Sequence, residues 1–250
     1  MDRSERQGLF IEKFCSLINY SLPLAEQTVS RHYNSPISIL IRRYNQPAFS
    51  LPPIAQPREY HGFSHAVDCC FALDSCWEEV ARQYGLKRSN YDSLFFALAY
   101  HDVVYDTHTK TEKTNEQQSA EFARQQLLAV GVSPEMVANI VELIEETDHS
   151  IPIADDATPS KRLIRDIDLI ELGADWTRFD HNFAAIRAEY SWVPEQDFML
   201  GRMRFMEAMI ARPHIFATSY FRSKLERAAR ANIERHIAEL EQIVDKPAVS

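Results

Sequence analysis

Six apolar residues, Leu94 to Ala99, follow one another without a polar break and lead directly into Tyr100, His101 and Asp102. A helix with this composition is apolar around most of its circumference, so it is predicted to be buried on most sides. The histidine and aspartate at its end would then have little contact with water. Because a buried carboxylate is normally paired or bound to a metal, two interpretations stay open: a hydrogen-bonded His–Asp pair, or part of a metal site.

Apolar residues recur at helical spacing along most of the chain, which has only 6 glycines among 250 residues. This pattern predicts an all-α protein, a single-domain helical bundle. Helices are predicted at about residues 4–19, 24–44 with a break or kink at Pro36, 62–84, 91–103, 115–130, 134–148, 160–173, 175–190, 195–211 and 217–244. The proline-rich residues 45–57 between two of them are predicted to form a loop.

Charge and cysteine content narrow the possible partners. The formal net charge of −9, from 27 basic and 36 acidic residues, argues against a nucleic acid as the main partner. No apolar run reaches about 18 residues, and the first residues lack the apolar core of a signal peptide, so no membrane partner is expected. The 4 cysteines form no C-x-x-C pair and are predicted to be reduced, as in a cytoplasmic protein.

His61 and His65 stand four residues apart at the predicted start of the 62–84 helix. That spacing places two helical residues on one face, here beside the apolar stripe that includes Phe63 and Val67. Such a pair is a common metal-ligand arrangement, but two capped or core histidines would give the same pattern.

Asp166 and Asp168 differ by two residues, about 200° around a helix, and so cannot face the same way. Asp166 follows Arg162 by four residues and is predicted to form a solvated ion pair with it. Asp168 has Ile164 and Leu172 at four residues on either side, which places it on the apolar face. Asp168 is therefore the better candidate for a buried ligand.

The candidate metal ligands are two imidazoles and two carboxylates: His65, His101, Asp102 and Asp168. A mixed nitrogen and oxygen set suits a divalent transition metal or a hard cation, and the sequence argument excludes a thiolate zinc site.

The order of these four residues along the chain resembles that of the HD superfamily of metal-dependent phosphohydrolases. Its members carry a histidine, then a His-Asp pair, then a distant aspartate on all-α scaffolds. The sequence is most similar to the bacterial group of predicted metal-dependent HD phosphohydrolases, over most of the chain from about Leu40 onward. The matching stretches are YHGFSH (60–65), AYHDVVYD (99–106), NEQQSA (115–120), DIDLIELGA (166–174), IRAEY (186–190) and ERAARANI (226–233).

The resemblance implies one HD-type domain over residues 1–250, with the metal-site core at about 58–175 and the C-terminal helices at 176–245 packed on it. It implies a divalent ion, with Mn, Fe, Co, Ni, Zn and Mg all open. The reaction implied is hydrolysis of a phosphate ester or anhydride of a nucleotide or another small phosphorylated metabolite. A bound ion would lower the pKa of a water from about 16 toward about 7 and polarise a phosphoryl oxygen.

The stretch YHGFSHAVD also resembles the histidine motif that begins cyclic-nucleotide phosphodiesterase catalytic domains. This likeness implies that His61 is the general acid and His65 a metal ligand. Gly62 departs from the family, which usually has a polar residue there. The segment Pro47–Pro57 looks like an insertion, and it is predicted to lie over the pocket mouth and to select substrate.

Further residues carry two interpretations each. Glu116 would position water or the His101-Asp102 pair, or it is a carboxylate that stabilises a helix N-terminus. His149 would bind a second metal, or it ends a solvated helix. The remaining candidates are possible substrate-binding residues: Tyr105, Asn115, Arg187 and Arg230. The two arginines could instead form ion pairs with Glu189 or Glu226.

Two other functions compete with the phosphohydrolase. One is a catalytically silent HD module that binds a nucleotide and signals to a partner. The other is an HD-type di-iron oxygenase, which needs extra histidine ligands, for which only His149 stands at a plausible place.

Overall fold

A computed structural model describes residues 1–21, 35–45, 58–108 and 111–244. This part of the chain contains ten α-helices, one short 3₁₀ helix and no strand, so the all-α prediction is confirmed. None of these helices is long and apolar enough to cross a membrane. The helices are α1 (Arg3–Ser21), α2 (Pro36–Tyr44), α3 (Phe63–Tyr84), α4 (Arg88–Tyr100), α5 (Asn115–Ala129), α6 (Pro134–Glu145), α7 (Pro159–Asp168), the 3₁₀ helix (Ile170–Gly173), α8 (Trp176–Glu189), α9 (Glu195–Ile210) and α10 (Ser219–Val244).

The chain divides into two compact units, Met1–Ile167 and Asp168–Ser250. The division falls between the last two residues of α7, so the first unit contains α1 to α7 except for the final residue of that helix. The single HD-type domain expected over residues 1–250 stays a prediction.

Helix α4 is the centre of the first unit. It packs against α3, α5 and α6, while α1 packs on α3. No residue from Leu94 to Ala99 is more than 1% exposed, which confirms the prediction of a helix buried on most sides. Phe10 and Phe14 of α1 reach its aromatic residues, with ring centroids 5.5 Å apart for Phe10 and Phe95 and 5.3 Å apart for Phe14 and Phe96.

Local signals explain where several helices begin and end. Pro36 starts α2 behind the Ser35 cap, and Pro134 starts α6 in the same way, because proline suits the first helical turn, where its missing N–H is not needed. Gly85 caps the end of α3, and its φ of 66° is a left-handed conformation that favours glycine. Most of the predicted 24–44 helix before Pro36, and the whole predicted loop Pro47–Pro57, lie outside the described residues.

Helix α7 contradicts the prediction that Asp166 lies on its solvated face and Asp168 on its buried face. Asp166 is 1% exposed, whereas Asp168 is only partly buried. Arg162, the predicted partner of Asp166, instead donates to the carbonyl oxygens of Ala157 and Asp155. The prediction of a surface-exposed Asp166 is wrong because the argument assumed one solvated face, and every residue from Leu163 to Ile167 is buried. The predicted 160–173 helix also ends early, at Asp168, and continues as the 3₁₀ helix.

The second unit has its own core, in which Phe198, Met199 and Leu240 are buried together. Helix α10 packs against α9 and the 3₁₀ helix. The close approach of α10 to the 3₁₀ helix depends on Gly173, where a Cβ atom would lie 2.8 Å from the Cβ of Leu225.

Candidate metal centre

The His101-Asp102 pair lies in the turn that follows α4. His101 is 1% exposed, and its Nδ1 lies 2.8 Å from the carbonyl oxygen of Leu98. Because a carbonyl oxygen only accepts, Nδ1 carries the proton and donates it in this hydrogen bond. His101 Nε2 lies 3.1 Å from Asp102 Oδ2.

Arg58 holds this turn from outside the motif. Its guanidinium donates to the carbonyl oxygens of Asp102, at 2.8 Å, and Val103, at 3.2 Å. The guanidinium also lies 5.8 Å from the ring centroid of Tyr44, whose hydroxyl donates to the carbonyl oxygen of Ala99. These contacts fix the backbone on both sides of His101. Neither Arg58 nor Tyr44 is a residue that the sequence predicted for the site.

Helix α3 contributes His65 from its first turn and Cys69 from the next. The His65 side chain is buried, and its Nε2 lies 3.7 Å from Asp102 Oδ2. Its ring centroid is 5.2 Å from that of His101. Cys69 is 1% exposed, with Sγ 3.7 Å from His65 Nε2 and 3.9 Å from Nδ1.

Four side chains form a group that could hold a metal ion. One ligand atom from each of His65, Cys69, His101 and Asp168 lies within 4.8 Å of the others. Asp168 reaches the group as the last residue of α7. Two imidazoles, a thiol and a carboxylate are donors that bind divalent transition metals, so the residues present fit such an ion.

The predicted ligand set is therefore found in part. His65, His101 and Asp168 belong to the group, and the Asp102 carboxylate lies beside both imidazoles. Cys69 was not among the predicted ligands, and the exclusion of a thiolate zinc site stays a prediction. The signal was present, because Cys69 follows His65 by four residues inside one helix, which places both on the same face.

The electrostatics of Asp102 favour a negative charge at this place. Burial by itself would raise the pKa of its carboxyl group, but the neighbouring His101, His61 and His65 lower that pKa to about 2. The carboxylate is therefore ionised near neutral pH and would attract a cation.

His61 lies just before α3, which begins at Phe63 behind the extended residue Gly62. The prediction that His61 shares a helical face with His65 is wrong for this reason. The His61 ring stacks on Tyr105, with centroids 3.8 Å apart and planes 13° from parallel, and lies 6.3 Å from the His65 ring. It is near the group of four without belonging to it.

A side chain at position 62 would be crowded by the backbone before α3. A Cβ atom at this position would lie 3.1 Å from the carbonyl oxygen of Arg58, which is closer than most real Cβ contacts. The backbone that leads from Arg58 into α3 therefore leaves little room for a side chain.

The stretch NEQQSA fixes the chain after the His-Asp pair. The Asn115 side chain accepts from the N–H of Asp106, at 3.0 Å, and donates to its carbonyl oxygen, at 3.2 Å. Ser119 does the same for Val104, at 3.0 and 3.1 Å. Asn115 thus has a structural role here, and Glu116 is a partly buried residue of the first turn of α5. No described contact joins Glu116 to the cluster.

His149 follows α6 and is not part of the group of four. The loop that carries it is held by the buried Arg165, which donates to the carbonyl oxygens of Glu146, Asp148 and Ile151. A second metal at His149 stays a prediction.

Arg187 and Arg230 hold backbone in the second unit. Arg187 donates to the carbonyl oxygens of Tyr190 and Val193, and not to Glu189. Arg230 pairs with Glu226 at 2.8 Å, as one interpretation expected, and donates to three further carbonyl oxygens. These contacts give both guanidinium groups a structural role, and the assignment of the two arginines to substrate stays a prediction.

Neither a protein-family model nor a curated protein sequence matches this chain. The likeness to HD phosphohydrolases therefore depends on the quoted motifs. The geometry itself establishes a buried His/Cys/His/Asp group in an all-α protein that could hold a metal ion.

Proposed function

We propose that this protein is a metal-dependent phosphohydrolase of the HD superfamily, acting on a nucleotide or another small phosphorylated metabolite. The observation that carries the proposal is the convergence of His65, His101 and Asp168 within 4.8 Å. These three residues come from distant parts of the sequence, in the order His, His-Asp, Asp that suggested the family.

His65, His101 and Asp168 would hold the ion, and the Asp102 carboxylate lies beside both imidazoles. A divalent ion supplies two things when it is bound: it makes a water acidic enough to yield hydroxide near neutral pH, and it polarises a phosphoryl oxygen. The chain contributes fixed ligands for it, since His101 is oriented by Leu98 and the turn by Arg58. The ionised Asp102 supports binding of a cation.

His61 is the proposed general acid for the leaving oxygen. It is partly buried and outside the group of ligand atoms, yet close enough for its charge to lower the pKa of Asp102. Stacking against Tyr105 restricts the orientation of its ring. A fixed imidazole at the edge of a metal site is suited to proton donation.

The first test is metal content and phosphate release. The full chain, loaded separately with Zn²⁺, Mn²⁺, Co²⁺ or Mg²⁺, is given a panel of phosphomonoesters, phosphodiesters and nucleoside triphosphates. Release of phosphate or nucleotide that stops on chelation and returns on reloading is expected. Nucleotide binding without turnover would favour the silent module, and two irons with oxygen consumption would favour the oxygenase.

The second test compares His61→Ala with His108→Ala, which removes an exposed histidine from the segment after the motif. His61→Ala should keep its metal and lose about 10²–10⁴-fold in turnover of substrates with a poor leaving group. A nitrophenyl ester, whose leaving group needs no proton, should be affected least, and His108→Ala should behave as the wild type. Metal loss in His61→Ala would make this residue a ligand, and equal losses for both ester types would exclude the acid role.

A further inference from the structure

Cys69 is the member of the group that the family order does not include. We propose that Cys69 binds the metal as a thiolate, so that this site takes zinc, cobalt or ferrous iron rather than magnesium or calcium. The proposal depends on the metal-binding part of the proposed function, and not on its substrate or reaction.

The spacing of the donors carries this assignment. With zinc–sulfur and zinc–nitrogen bonds of about 2.3 and 2.05 Å and a tetrahedral angle, the sulfur and nitrogen ligands of one ion lie about 3.6 Å apart. Cys69 Sγ is 3.7 Å from His65 Nε2. The same sulfur lies within 4.8 Å of ligand atoms of His101 and Asp168. The same sulfur is 3.9 Å from His65 Nδ1, so the His65 ring has to turn before one ion can contact all four side chains.

The neighbouring cysteine, Cys70, is also buried but does not face the group of donor atoms. Cys70 is equally buried, at 1% exposed, but its thiol faces the carbonyl oxygen of Phe95 at 3.6 Å. Consecutive helical residues point about 100° apart, so only one of the two can face the cluster. Cys70 is therefore a matched control for Cys69.

A thiolate ligand restricts the choice of ion. Binding removes the thiol proton, which passes to solvent, and the resulting sulfur anion prefers borderline and soft ions. Magnesium and calcium prefer oxygen ligands at octahedral or higher coordination. Two imidazoles, one thiolate and one carboxylate instead match the donors that bind zinc and its neighbours in the first transition series.

The test is spectroscopic and uses the full chain loaded with Co²⁺. A thiolate ligand gives cobalt a sulfur-to-metal charge-transfer absorption in the near ultraviolet, which nitrogen and oxygen ligands do not give. Wild type and Cys70→Ser should both show this band, and Cys69→Ser should lack it. Cys69→Ser should also bind Zn²⁺ at least about 100-fold more weakly, since even the loss of an outer partner of a ligand costs up to that factor.

A second measurement uses only the wild type, so its result does not depend on whether Cys69→Ser folds. X-ray absorption at the zinc edge of the wild type should show one sulfur neighbour at about 2.3 Å. A zinc spectrum with only nitrogen and oxygen neighbours would overturn the Cys69 assignment and leave the metal site intact. Failure of the wild type to bind either metal would overturn both proposals, whereas a sulfur neighbour without phosphate release would overturn only the proposed reaction.

Discussion

His236 lies in the interior of the second unit, and its burial predicts a loss of stability in mild acid. Its side chain is 2% exposed, and its ring centroid lies 4.4 Å from that of Phe183 and 5.4 Å from that of Phe179. Burial, reinforced by the positive charge of Arg202, lowers the pKa of His236 from 6.5 to about 4. The folded protein therefore keeps this imidazole neutral at pH values where the unfolded chain protonates it.

The size of the effect follows from the two pKa values. A difference between 6.5 in the unfolded chain and about 4 in the fold corresponds to about 3 kcal/mol. Above pH 6.5 both states are neutral, so the contribution to the free energy of unfolding is fully present. It falls by up to about 1.4 kcal/mol per pH unit as the pH decreases from 6.5 toward 4, and it is lost below that range.

The assay is urea unfolding of the full chain at pH values from 8 to 4, followed by circular dichroism. His236→Leu removes the titrating group and keeps an apolar side chain in the core. Between pH 7 and pH 4 the free energy of unfolding of the variant should rise by about 3 kcal/mol relative to the wild type. The control His181→Leu, which replaces an exposed residue of α8, should follow the wild type, because His236 is intact. Parallel acid losses in wild type and His236→Leu would refute the reasoning.

Two further predictions concern the backbone around the candidate metal centre. Arg58→Met should weaken Zn²⁺ binding about 10–100-fold in calorimetric titration, because it removes the donor to the carbonyl oxygen of Asp102; unchanged affinity would contradict the positioning role. Ser119→Ala should lower the free energy of unfolding by about 1–3 kcal/mol, because both backbone groups of Val104 lose their partner. Ser75→Ala, at an exposed position, should change it by less than about 0.5 kcal/mol, and equal effects of the two serine variants would count against this account.

The helices could be predicted from the sequence because their signals are local. Apolar periodicity, a proline at the first turn and a glycine at the end are read within a few residues, as for α6 and α3. The burial of α4 follows from its composition alone, since Leu94 to Ala99 leave no polar face. The division of the chain at Ile167 is set by contacts between distant residues, and periodicity carries no information about those.

The roles of the polar residues were harder to predict, for a chemical reason. A guanidinium group can donate to a phosphate oxygen or to a backbone carbonyl oxygen. Arg187 and Arg230 satisfy carbonyl oxygens of their own unit, and Asn115 satisfies the backbone of Asp106. The sequence shows the donor but not the acceptor, so it cannot separate a substrate contact from a backbone contact.

A spacing of four residues brought two side chains together only where the helix continued through both residues. His61 and His65 are four apart, but Gly62 is extended with ψ of −177°, so the chain between them is not helical and the shared face does not exist. His65 and Cys69 have the same spacing wholly inside α3, and there the two side chains do meet, with Sγ 3.7 Å from Nε2. Asp168, the last residue of α7, belongs to the group although it is less buried than Asp166, so burial on the apolar face did not identify it.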